Sequence, residues 1–287
     1  MLGMPYELEK ASGLGFCFGV KRAIGTVERV AQERGGVETL GALVHNPQVM
    51  ERMAALNVRV VSRLEDVKGK TIVISSHGVG PAIIERMGVM GLEIVDTTCP
   101  FVKRAQVAAR RLSESGFYTI IYGDVNHPEV RGILGWAGDN GLATLDIEKL
   151  KAIVDLPRHL GVLSQTTQIP AHFIEFAKTA VEKAMVKDAE VRVVDTICHD
   201  IRDRQASTLE LAARSDLMLV IGGRQSANTR HLVGLCQPQA ETFLVETAAD
   251  IVPIWLAGKK HVGITAGAST SDDAIADVWQ RLNQLNT

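Results

Sequence analysis

The chain has 287 residues, 31 Lys and Arg against 33 Asp and Glu for a formal net charge of −2, and is 46% apolar, 22% charged and 5% aromatic. That composition excludes disordered, collagenous and low-complexity classes, and the near-neutral charge supplies no basic face for non-specific nucleic-acid binding. One hydrophobic core rarely serves a chain of this length, so two or three domains are expected.

In chain order, residues 1–10 lack the apolar run of a signal peptide. No later segment approaches the roughly 20 apolar residues of a membrane span. A cytoplasmic protein with no membrane and no nucleic-acid partner is expected. The four cysteines, Cys17, Cys99, Cys198 and Cys236, form no Cys-x-x-Cys pair, which argues against a zinc ribbon or a thioredoxin-type site. In a cytosolic chain they read as thiols.

One unit recurs. A short run rich in Val, Ile and Leu ends in a small or polar cluster, and a helical pattern follows. Residues 71–78, 118–124, 160–167, 217–221 and 261–267 read as such runs. Continuous apolar strands alternating with helices imply parallel sheets covered on both faces. Pro47, Pro100, Pro128 and Pro170 mark first helical turns, a position that tolerates the missing N–H. Ser271, with Asp272 and Asp273, caps a helix over 274–285. Residues 173–185 and 206–214 also have helical spacing. Cys17, Cys99 and Cys198 each stand where an extended segment gives way to a helix, and they recur roughly 90 residues apart. The reading is an α/β fold of three similar lobes, 15–98, 99–193 and 194–287, with mostly parallel sheets arranged around a central cavity.

Open parallel sheets bind ligands at the carboxyl ends of their strands. The residues there are Cys17, His45 with Asn46, His77, Cys99, His127, Glu129, Thr166 with Thr167, Cys198, Ser226 with Asn228, and Ser269. A thiol at a helix start is expected to ionise easily. Three such thiols suit an iron–sulfur cluster with one iron left open, or a Cys₃ zinc site. Cys236, at core spacing with Leu232 and Leu235, reads as a buried hydrophobe. His45, His77 and His127 in matching positions suit phosphate oxygens. The small, polar stretches around Ser226 and Ser269 suit an anion at backbone N–H groups, although neither is a Walker A loop. Glu129 follows His127 by two residues and shares its pocket wall if the segment is extended there; its plain alternative is a solvated surface acid.

The segments Gly15-Phe16-Cys17-Phe18-Gly19-Val20, Val44-His45-Asn46, Ser76-His77-Gly78-Val79, Thr98-Cys99-Pro100 and Asn126-His127-Pro128-Glu129-Val130 resemble the 4-hydroxy-3-methylbut-2-enyl diphosphate reductase (LytB) family. So do Gln165-Thr166-Thr167, Ile197-Cys198, Arg204-Gln205, Ser226-Ala227-Asn228 and Thr265-Ala266-Gly267-Ala268-Ser269. The resemblance implies three α/β lobes, each giving one of Cys17, Cys99 and Cys198 to a [4Fe–4S] cluster with one open iron. It implies an allylic diphosphate substrate contacted by His45, His77, His127, Thr166, Ser226, Asn228 and Ser269. Glu129 would be the proton donor, and a ferredoxin or flavodoxin would supply two electrons. The implied activity is reductive dehydroxylation to isopentenyl and dimethylallyl diphosphate in the non-mevalonate isoprenoid pathway. Alternatives are a non-redox iron–sulfur hydro-lyase, a diverged paralogue acting on a related diphosphate, and a metal-centre metabolite sensor. Asp124, Ala227 and His199-Asp200-Ile201 depart from the family's usual residues, while the cysteines and Glu129 do not.

Overall fold

The computed structural model describes residues 5–138, 140–186 and 188–286. The chain runs β1 (Glu7–Lys10), α1 (Phe18–Arg34), β2 (Val37–Leu40), α2 (Pro47–Ala55), β3 (Val58–Val61), β4 (Thr71–Ile74), α3 (Pro81–Val89) and β5 (Glu93–Asp96). It continues with α4 (Pro100–Glu114), β6 (Tyr118–Tyr122), α5 (Pro128–Ala137), β7 (Gly141–Thr144), α6 (Ile147–Ala152), β8 (His159–Ser164), α7 (Pro170–Met185) and β9 (Glu190–Val194). Last come α8 (His199–Ala212), β10 (Leu217–Ile221), α9 (Ala227–Cys236), β11 (Glu241–Val245), β12 (His261–Ala266) and α10 (Asp272–Leu285). Among the described residues no helix is long and apolar enough to cross a membrane.

The strands form three four-stranded sheets, ordered β3-β2-β4-β5, β7-β6-β8-β9 and β11-β10-β12-β1. Every pairing is parallel. Each sheet therefore has the order second, first, third, fourth. In the last one the fourth place is taken by the N-terminal strand, where Leu8 pairs with Val262. The fold is thus α/β and internally repeated, and the third repeat is completed by the chain's own beginning.

Contacts divide the chain into two compact units. One, Met1–Lys21 with Val44–Arg52 and His199–Thr287, carries the sheet β11-β10-β12-β1; the other, Arg22–Leu43 with Met53–Cys198, carries the remaining two sheets. In the first unit, alternate residues of β10 face opposite ways. Leu217, Leu219 and Ile221 pack with Val278 and Leu282 of α10, while Met218 and Val220 pack with Leu211, Leu232 and Cys236. In the second, Ile120 and Val162 meet Phe173 and Phe176 of α7, and Ile121 and Leu163 meet Ala109 of α4 and Ile133 of α5. Ile72 and Ile74 of β4 close on Met87 of α3. Burial on both faces is why these strands read as unbroken apolar runs, each large side chain adding about 1.5–3 kcal/mol.

The helix starts fall where the prolines place them. Pro47, Pro100, Pro128 and Pro170 are all first helical residues, and Ser271 Oγ accepts the Ala274 N–H at 3.2 Å. Two helices begin earlier than their apolar spacing suggests, α7 at Pro170 and α8 at His199. Their first turns carry polar residues that spacing alone does not register.

Candidate active site

The repeat sorts the chemistry by strand. The loops after the first strands carry His45, His127 and Ser226; those after the third strands carry His77, Thr166 and Ser269; those after the fourth strands carry Cys99, Cys198 and Cys17. Each cysteine is tied in the same way to the third-strand loop beside it. Cys17 N–H donates to Ala268 O, Cys99 N–H to Ser76 O and Cys198 N–H to Thr166 O, all at 3.0 Å. In all three places the cysteine directly precedes a helix, namely α1, α4 and α8. The described cysteines are thiols, with no disulfide among them.

The helix start does not make Cys17 acidic. Burial pushes its thiol above the ordinary value, outweighing the N–H groups of Val20 and Gly19 and the Arg204 guanidinium, which pull it down. This reverses the expectation drawn from helix position alone, because desolvation of the thiolate exceeds the partial charge of one helix end. Cys236 is pushed up to about 12 by burial within the core of α9, as its apolar spacing indicates.

In the larger unit, Glu129 is the second residue of α5, not part of an extended segment. It is 2% exposed, so it is not a solvated surface acid. Thr166 donates its N–H to Glu129 Oε1 at 2.6 Å and its hydroxyl to Oε2 at 3.0 Å. Burial raises the Glu129 carboxyl to about 7 against the pull of those two bonds. His127 caps the same helix, its Nδ1 accepting the Glu129 N–H at 3.2 Å. The neutral ring therefore carries its hydrogen on Nε2 and can donate from there. The His77 and His127 rings meet edge to face, centroids 5.3 Å apart. Asp124 shapes the turn ahead of them: its carboxylate accepts the Asn126 N–H at 2.9 Å and its own N–H donates to Gln165 Oε1 at 3.2 Å.

In the smaller unit, burial and the charge of Arg230 push His45 below its ordinary value, so at neutral pH it is an uncharged hydrogen-bonding ring. Asn46 holds its loop to the next, Nδ2 donating to Ser269 O at 2.8 Å. A side chain at Gly223 would collide with the His45 carbonyl, so this crossing requires glycine. Ser226 caps α9 through the Thr229 N–H at 3.3 Å. Asn228 is buried, yet neither its Oδ1 nor its Nδ2 has a hydrogen-bond partner. A buried carboxamide left bare in this way is expected to have a ligand.

One buried side chain has no role of its own legible in the sequence. Arg204 is 4% exposed and donates to Ala266 O at 2.8 Å and Gly15 O at 2.9 Å. Only its place in the segment Arg204-Gln205 marks it, since an arginine within a polar helical stretch normally reads as solvated.

These features define a class: a parallel α/β protein whose strand-end loops present thiols, neutral imidazoles, hydroxyls and one neutralised carboxyl, a set suited to a soft metal centre beside an anionic ligand. The chain belongs to the LytB protein family, whose profile matches residues 8–283. A reviewed relative from Dehalococcoides mccartyi (strain CBDB1), named 4-hydroxy-3-methylbut-2-enyl diphosphate reductase, is 61% identical over 98% of this chain and 99% of its own. A protein of the same name from Geobacter sulfurreducens is 39% identical, covering 98% of each chain. Among solved structures, (E)-4-hydroxy-3-methyl-but-2-enyl diphosphate reductase, described as the terminal enzyme of the non-mevalonate pathway, matches with a TM-score of 0.70 and 38% identity over 97% of this chain and 99% of that one. The Plasmodium falciparum E-1-hydroxy-2-methyl-but-2-enyl-4-diphosphate reductase shares the fold, with a TM-score of 0.91 at 24% identity over 99% of this chain and 89% of that one.

Proposed function

We propose that this chain reduces 4-hydroxy-3-methylbut-2-enyl diphosphate to isopentenyl and dimethylallyl diphosphate in the cytoplasm, taking two electrons from a ferredoxin or flavodoxin and two protons, one leaving with the 4-hydroxyl as water and one added to the allylic carbon. In this reading the three repeats are lobes, 15–98, 99–193 and 194–287, and the strand Glu7–Lys10 completes the third. Family membership supports the reading. The observation that carries it is the threefold placement of cysteines, each anchored at 3.0 Å to the neighbouring ligand-bearing loop.

The donor set fits a [4Fe–4S] cluster held by Cys17, Cys99 and Cys198 with one iron lacking a protein ligand: three thiols in equivalent places, and among the described residues no fourth cysteine outside the core. When bound, such a cluster supplies the one-electron chemistry and Lewis acidity that side chains lack. The rest falls to the chain. His45, His77, His127, Ser226, Asn228 and Ser269 bind the diphosphate, and their imidazoles and amides do so as oriented donors. The diphosphate fixes the position of the distant hydroxyl, turning binding energy into orientation. Glu129, protonated and aligned by Thr166, gives its proton to the departing oxygen.

The test is an anaerobic assay of the purified holoenzyme with this substrate and a chemical reductant, reading iron content and products together. Reductant-dependent formation of both five-carbon diphosphates supports the reading. Turnover without reductant would make the chain a hydro-lyase; tight binding without turnover would make it a sensor. A sharper check is Asn228→Ala. Loss of hydrogen bonds to a charged group, about 1.5–3 kcal/mol, should raise KM roughly 10- to 100-fold with little change in kcat.

A further inference from the structure

Three arginines repeat with the cysteines. Arg22, Arg104 and Arg204 follow Cys17, Cys99 and Cys198 by five, five and six residues. Each donates to a carbonyl in the loop that leads into another cysteine. Arg22 Nη1 reaches Thr98 O at 3.2 Å, immediately before Cys99. Arg104 Nη2 reaches Asp195 O at 3.3 Å and Ile197 O at 3.5 Å, just ahead of Cys198. Arg204 Nη2 reaches Gly15 O at 2.9 Å, two residues before Cys17, while its Nη1 takes Ala266 O at 2.8 Å. The bonds run in a cycle, from the helix after the first cysteine to the loop of the second, then to the third, then back to the first. Each bond lies within a single compact unit.

We propose that Arg22, Arg104 and Arg204 are positioning residues, each ordering one cysteine loop within its own unit for the cofactor, and that Arg204 is the principal strap. The proposal rests on the reading that the three cysteines share one cofactor. Its physical basis is loop order. A thiol ligand on a free loop must give up backbone freedom when it binds. A guanidinium fork spends its donors on carbonyls without competing for the thiols, so the loop is ordered beforehand. The grading follows from burial. Arg204 is buried and makes two short bonds, whereas Arg22 and Arg104 border a surface cleft with Asp96 and Lys103 and make longer ones. Residues that orient metal ligands typically govern affinity by about 10- to 100-fold.

The experiment compares wild type with Arg204→Gln, Arg204→Lys, Arg22→Gln and Arg104→Gln after anaerobic reconstitution with ferrous iron and sulfide. Cofactor release is followed as bleaching of visible absorbance under an iron chelator. Arg204→Gln should release at least roughly 10-fold faster, with Arg204→Lys intermediate because one ammonium cannot span both carbonyls. The exposed pair should accelerate release by smaller factors. Two further readouts separate positioning from bulk stability. Amide exchange at residues 15–17 should quicken in metal-free Arg204→Gln while β10 stays protected. The midpoint potential of the loaded protein should fall in Arg204→Gln and hold in Arg204→Lys, since loss of a nearby cation disfavours the reduced state. Folded Arg204→Gln with wild-type release overturns the proposal. Should Arg204→Gln not fold, wild-type release in both Arg22→Gln and Arg104→Gln overturns it. A wild-type chain that takes up no iron overturns the cofactor reading itself, and the straps with it.

Discussion

Glu129→Gln should lower kcat by about 10²- to 10⁴-fold, the range expected when a positioned general acid is removed, while substrate still binds and iron content is unchanged. Glutamine keeps the shape: its amide oxygen can accept the Thr166 N–H and its amide nitrogen can donate to the Thr166 hydroxyl, so both contacts, at 2.6 and 3.0 Å in the wild type, have a counterpart in the variant. What disappears is the transferable proton. A carboxyl raised to about 7 by burial is suited to this task, because a good fraction is protonated at neutral pH and the acid is still strong enough to give its proton away. Activity of the wild type should therefore fall as pH rises past about 7, and the residual activity of the variant should lack that limb. Equal kcat in the two proteins would remove Glu129 from the chemistry.

The same shift makes a stability statement. The folded carboxyl holds its proton to higher pH than the unfolded one, so between about 4.5 and 7 the folded chain binds more protons. Stability from this group is complete below that window and is lost as pH climbs through it. A shift of this size corresponds to roughly 3 kcal/mol. Denaturant unfolding of the metal-free protein at several pH values should show wild type weakening across the window relative to Glu129→Gln.

Local patterns carried much of the architecture. The prolines at helix starts and the apolar runs 217–221 and 261–267 are read correctly because capping and two-sided burial are properties of neighbouring residues. The strand Glu7–Lys10 is different. Its sequence, Glu-Leu-Glu-Lys, is polar and short, and its partner Val262 lies at the opposite end of the chain, so nothing nearby indicates pairing. Within the site, the residue types were legible but their state was not. Glu129 is buried by contacts with Thr166, a residue from another strand's loop. Cys17 is less acidic than its place at a helix start implies because burial dominates. Both are outcomes of desolvation, which is set by tertiary packing and leaves no trace in local spacing.

Cys99→Ser should abolish both the visible absorbance and the activity of anaerobically purified protein, whereas Cys236→Ser should abolish neither. The contrast isolates placement from residue type. Cys99 stands at the N-cap position of α4 with its N–H donated to Ser76 O, and Cys236 packs in the core with Met218 and Val220 of β10. Iron sites of this kind need thiolate, a soft and polarisable donor. Serine is isosteric but harder and far more basic, so the loop survives while the ligand does not. Circular dichroism of Cys99→Ser should match metal-free wild type, which separates loss of a ligand from loss of the fold. Loading should also release protons, because the Cys17 thiol is held above its ordinary value and binding requires the thiolate; uptake of iron should accordingly weaken as pH falls. If Cys99→Ser keeps full iron and full turnover, three equivalent thiols in one repeated framework serve no common centre, and the loops proposed to bind diphosphate have no redox partner on this chain.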